Sequence, residues 1–114
     1  MDIIQELEQK LKELTVAVKE LRKSGTAFAA AERDYKVLLR QEVLRLRDEG
    51  QAVGVIDKIC YGIPSVAEKR FQRDVAKTIY EANLECINAT KLYMKSLKTL
   101  KKRVKLAQLP QTKS

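Results

Sequence analysis

The sequence predicts an all-α fold: a long antiparallel αα-hairpin with a short helix at its turn, packed into an oligomeric helical bundle. Three observations lead there. The 114 residues include only four Gly and two Pro, too little turn material for an all-β fold. Two stretches carry apolar residues at alternating spacings of three and four, the pattern of a helical seam. The breakers gather between those stretches, around Gly50 and Pro64.

In the first stretch Ile4, Leu7, Leu11, Leu14, Val18 and Leu21 form a strict heptad seam, with charges on the other faces. So narrow a seam suits one partner helix rather than a broad core. Ser24-Gly25-Thr26 then interrupts it. Gly25 could end a helix and Thr26 cap a new one. The alternative is a glycine tolerated inside one helix at about 1 kcal/mol. The seam drifts on through Phe28, Tyr35, Leu39 and Leu46 without restarting, which favours a single helix over 3–49, with Gly25 the place of any kink or break.

Gly50 supplies a left-handed stop. Val55, Ile56, Ile59 and Cys60 then have the spacing of one short helix over 54–61, stopped by Gly62 and placed to plug the open end of the hairpin. Ser65 and Glu68 have the spacing of a capping box. The apolar series Val75, Ile79, Ala82, Cys86, Tyr93, Leu97, Leu100 and Val104 follows, with no breaker before Pro110. It predicts one helix over 66–107. The lengths of the two long helices, roughly 70 and 63 Å, match. Residues 1–109 therefore read as one helical domain and 110–114 as a disordered tail. Ile87, Met94, Leu84, Leu92 and Leu106 fall off the seam and are expected to stay partly exposed. Chains seldom leave such surface uncovered, so a homo-oligomer is expected.

Charge is unevenly spread. The net charge is +8. Residues 1–57 hold 10 basic and 11 acidic side chains, and residues 58–114 hold 13 and 4. From Cys86 onward there are eight basic residues and no acid. Lys91, Lys95, Lys98, Lys102 and Lys105 share one helical face, centred roughly 150° from the seam at 100° per residue. Lys101 and Arg103 flank the seam and could pair with Asp2, Glu6, Glu8, Glu13 or Glu20, and cations at a helix C-terminus are favoured by the macrodipole. Neither effect accounts for five lysines on the far face. An anionic partner does, and nucleic acid comes first. Lysine contacts phosphate as a point charge and reads no base edge bidentately, so sequence choice is expected to be slight. A membrane surface fits poorly, because no exposed Trp or Phe face backs the lysines.

Other chemistry is scarce. The absence of His removes the commonest general base and the usual zinc ligand. Cys60 and Cys86 sit in no metal or redox spacing, and both read as small buried apolar residues. Glu81 and Glu85 make half of a carboxylate metal pattern with no matching Glu-x-x-His, so they read as a solvated face. The sequon Asn88-Ala89-Thr90 lies inside a helix and reads as chance. Arg45, Arg47, Arg70 and Arg73 would gather at the turn. They are either salt-bridged to Asp48, Glu49, Glu68 and Asp74 or form a second anion or partner site. There is no Gly-rich phosphate loop, no membrane span and no secretory signal pattern, and a cytoplasmic protein is expected. No enzymatic activity, cofactor, metal or small-molecule substrate is expected.

One resemblance adds to this. Ala31-Glu32-Arg33-Asp34-Tyr35, Leu44-Arg45-Leu46-Arg47-Asp48-Glu49-Gly50, Tyr61-Gly62, Val66-Ala67, Arg70, Arg73-Asp74-Val75-Ala76, Tyr80 and Ile87-Asn88 with Lys91 resemble a family of small helical proteins. These are encoded by temperate phages and prophages of Firmicutes. The resemblance spans residues 20–95. The family has no assigned activity and lends no functional residue. It implies a phage-type accessory protein in the host cytoplasm, from an early DNA-metabolism region. Two functions follow: a module binding nucleic acid through the lysine stripe, or an adaptor or inhibitor of a host or phage protein that binds no nucleic acid.

Overall fold

The structure, a computed structural model, describes residues 2–110. Those residues are all-helical, 92% in helix with no strand. Helix α1 spans Ile3–Asp48, α2 Val53–Ile59 and α3 Pro64–Ala107, with a 3-10 turn at Cys60–Gly62. The residues assigned to the tail beyond Pro110 lie outside the described residues. The chain divides into two compact units, one made of residues up to Glu20 with those from Asn83 on, the other running from Leu21 to Ala82.

Helix α1 runs unbroken through Gly25. Its start is fixed by a reciprocal cap. Asp2 Oδ1 accepts the Gln5 N–H at 2.7 Å, and Gln5 Oε1 accepts the Asp2 N–H at 3.3 Å. Each side chain satisfies a backbone donor that the first turn leaves open. Gly50 is the stop, at φ +85°. Its N–H donates to the Arg47 carbonyl and that of Gln51 to the Leu46 carbonyl, both at 3.0 Å. This pair of bonds is a Schellman motif, and its left-handed residue is favoured as glycine.

The start of α3 differs from expectation. The helix begins at Pro64, so Ser65 and Glu68 already lie inside its first turns. The Ala67 N–H donates to the Ile63 carbonyl at 2.8 Å. Glu68 accepts from Gln72 Nε2 at 3.2 Å instead of reaching back. The proline explains the shift: its fixed φ suits the first helical position, and it holds Ile63 extended, at ψ 126°. The same restriction ends the preceding turn. Gly62 supplies no left-handed stop, since Gly50 alone among the described glycines has positive φ.

In the unit Leu21–Ala82 the core begins with Leu46, Ile56 and Cys60, which bury together with Leu39, Val43 and Ile63 packed around them. Cys60 is buried as its spacing suggests, and Val66 is fully buried. Farther along the same unit, Phe28 meets Tyr80 with ring centroids 6.0 Å apart. The Arg73 guanidinium lies over the buried Tyr35 ring, 4.4 Å from its centroid.

These aromatic contacts set which face of α3 is buried, and it is not the face the apolar pattern predicts. Arg73, Ala76 and Tyr80 turn inward, while Val75 and Ile79 are exposed together with Phe71, at 63%. The bulky rings of α1 need Tyr80 and Arg73 opposite them, and that choice rotates the face by one residue, or about 100°. The terminal unit shows the same offset. Ile87 is 3% exposed, against expectation, and Cys86 is exposed rather than buried, whereas Met94 stays partly exposed as expected. Leu97 is buried as the pattern requires. On α1, Leu7, Leu14, Val18 and Leu21 are half-buried, but Ile4 and Leu11 face out.

Candidate functional site

The C-terminal part of α3 carries the lysines. Lys91, Lys95, Lys98, Lys102 and Lys105 are all exposed. Lys95, Lys98, Lys102 and Lys105 line an open groove together with Thr99 and Lys101. Lys91 continues their row one turn before it. The helix places them so because residues three and four apart are neighbours on its surface. The nearby hydroxyls turn back on the helix: Thr99 Oγ1 donates to the Lys95 carbonyl and Ser96 Oγ to the Leu92 carbonyl, each at 3.1 Å. Ammonium groups are thus the cationic donors facing the groove.

Three acids of α1 and its N-cap in this unit, Asp2, Glu6 and Glu13, are engaged elsewhere. The Tyr93 hydroxyl donates to the Glu6 carboxylate. Lys10 Nζ sits 5.1 Å from the centre of the Tyr93 ring and 3.1 Å from Glu13 Oε2. The Glu6 carboxylate holds the Tyr93 phenol above its usual pKa. The Lys10–Glu13 bond pushes the lysine up and the carboxyl down. Asp2 caps its own helix. The expected pairing of Lys101 and Arg103 with these acids does not occur among the described residues. None of the five stripe lysines makes an ion pair there either.

Three of the four turn arginines are engaged locally, each with different partners. Arg45 lies between Glu42 and Glu49, 2.7 Å from each, and both carboxylates favour its charged form. Arg70 Nη1 donates to the Tyr61 carbonyl at 2.9 Å. Arg73 binds Asp74 at 2.9 Å while stacked on Tyr35. Arg47 is exposed. Glu49 and Asp74 take the partner roles their position suggests. Glu42 also pairs with Arg45, at the i,i+3 spacing that places them as helix neighbours. Glu81 lies 3.9 Å from Lys77, as a solvated face would.

A second feature escapes the sequence pattern. In the unit Leu21–Ala82, Phe71, Val75 and Ile79 line an apolar groove with Ala27 and Ala76. The signal was present as an i, i+4, i+8 series, but it reads equally well as a buried seam. No helix among the described residues is long and apolar enough to cross a membrane. No family model, no curated protein and no solved structure matches the chain.

Proposed function

We propose that the chain is a non-enzymatic, phage-type accessory protein that binds nucleic acid without sequence choice, through Lys91, Lys95, Lys98, Lys102 and Lys105. One observation carries this reading: five exposed lysines share one helical face in a stretch without acids, and Glu6 and Glu13 of α1 are bonded elsewhere. Phosphate neutralisation needs charge and not geometry, which is what such a row offers. The resemblance to small phage-encoded proteins supports a role in phage DNA metabolism. In this reading α1 and α3 form one long antiparallel hairpin, and the protein works in the host cytoplasm. The test is DNA binding as salt is raised. Affinity should fall steeply and linearly in log K against log salt.

A second reading is favoured by the exposed Phe71, Val75 and Ile79. In it the chain is an adaptor or inhibitor, and its apolar face meets a host or phage protein or a second copy of itself. Such a complex would tolerate salt and survive nuclease, whereas recovery through bound nucleic acid would not.

A further inference from the structure

We infer that the free end of α3 enters the major groove of B-form duplex DNA, with cations reaching phosphates on both groove walls. The inference rests on the nucleic-acid reading above and goes further by naming the form bound. Every residue from Lys98 to Pro110 is exposed, so no side of this helix end is buried against the other described residues. A bare helix about 10–12 Å across matches a groove about 12 Å wide.

The cations are distributed for two walls rather than one. At 100° per residue, Lys101 and Arg103 stand on nearly opposite sides of the helix, with Lys98, Lys102 and Lys105 between them. The five cover an arc of roughly 200°. A single strand or a flat anionic surface meets only part of such an arc. A groove bounded by two phosphate backbones meets all of it. No acid lies within this stretch to repel either wall.

Single strands are disfavoured for a second reason. Their general binding mode needs aromatic side chains on which bases stack. This end of α3 has none, and the nearest aromatic, Tyr93, is bonded to Glu6 with Lys10 over its ring. Duplex RNA is disfavoured by shape, because its major groove is too deep and narrow for side chains to read.

The test uses the full chain with three labelled probes: a DNA duplex, a DNA single strand with the same number of phosphates, and an RNA duplex of the same sequence. The DNA duplex should bind about tenfold more tightly than either alternative at low salt, having phosphates on both sides of the helix. Single strand or RNA duplex bound as tightly as DNA duplex would overturn this inference and leave the nucleic-acid reading standing. No binding to any probe would remove both. In the variant K101Q/R103Q the duplex salt slope should flatten by about 1.8, two contacts' worth, and affinity should fall more on duplex than on single strand. Equal loss on both would overturn the two-wall contact. Unchanged helicity in circular dichroism shows that the variant is folded.

Discussion

Tyr80 packs its ring over Gly25. A Cβ built on that glycine would lie 3.4 Å from Tyr80 Cε2, which is ordinary van der Waals contact. The position therefore accommodates a methyl group against the Tyr80 ring. Gly25→Ala should stabilise the protein by about 0.5–1 kcal/mol, because glycine in a helix interior costs that much relative to alanine. Gly25→Val should destabilise it, since the branches would displace the Tyr80 ring. Urea unfolding of both variants checks the pair of signs.

Gly50 is the opposite case. Nothing lies within 4 Å of its built Cβ, but φ is +85°. Space is available and the backbone conformation is the obstacle. Gly50→Ala should cost about 1–2 kcal/mol, the penalty for an L residue in the left-handed region. Gly50→Asn should cost less, because asparagine tolerates that region. Chemical denaturation of the two variants, read against the parent, gives the comparison.

These two glycines show why the sequence was legible in some places and not in others. The Schellman stop at Gly50 depends on local chain geometry, so a glycine after a long periodic run reveals it. Gly25 is a notch for Tyr80, a partner 55 residues away in sequence, and no local rule discloses that. The inward face of α3 is hidden from local rules for the same reason. Val75 and Ile79 look like core by residue type, yet Phe28 and Tyr35 on α1 place Tyr80 and Arg73 inward. Ser65 and Glu68 have capping-box spacing, but Pro64 starts the helix two residues before the predicted 66. The Asp2–Gln5 cap likewise follows a local spacing rule. The lysine row was legible because it follows from helical spacing alone. The arginines were legible only in part, because Glu42 and the Tyr61 carbonyl take two of them.

Tyr93 and Glu6 give a spectroscopic handle on the terminal unit. The hydrogen bond to Glu6 raises the phenol's pKa. A group raised on folding contributes stability below its unfolded value, about 10, and loses it as pH climbs through the folded value. Phenolate absorbance should therefore show one tyrosine titrating later than free phenol. Glu6→Gln should bring that transition back toward the ordinary value. At the acid end, the lowered Glu13 carboxyl contributes above its unfolded value, about 4.3, and that contribution fades as pH falls through the folded one. Glu13→Gln should remove this acid-side dependence.

Phe71, Val75 and Ile79 form an exposed apolar row, and burying it would drive self-association. Sedimentation should show the parent as a dimer or larger at micromolar concentration. Phe71→Ser with Ile79→Ser should shift it toward monomer with little change in helicity, because both side chains are exposed. A parent that sediments as a clean monomer would argue against the oligomer.

If the lysine row binds phosphates, DNA binding must weaken steeply with salt. Anisotropy titrations of the parent and of a variant with Lys91, Lys95, Lys98, Lys102 and Lys105 all changed to Gln should be compared from about 50 to 200 mM salt, the range over which phosphate contacts weaken most visibly. The parent should bind at the low end and lose affinity along a straight log–log line. Each lysine lost should flatten that line by about 0.9 on duplex or 0.7 on single strand. The five-fold variant should keep its helicity and lose binding. Equal binding by parent and variant, or no binding by the parent at about 50 mM salt, where counterion release is strongly favourable, would contradict the account and leave the protein-partner reading in its place.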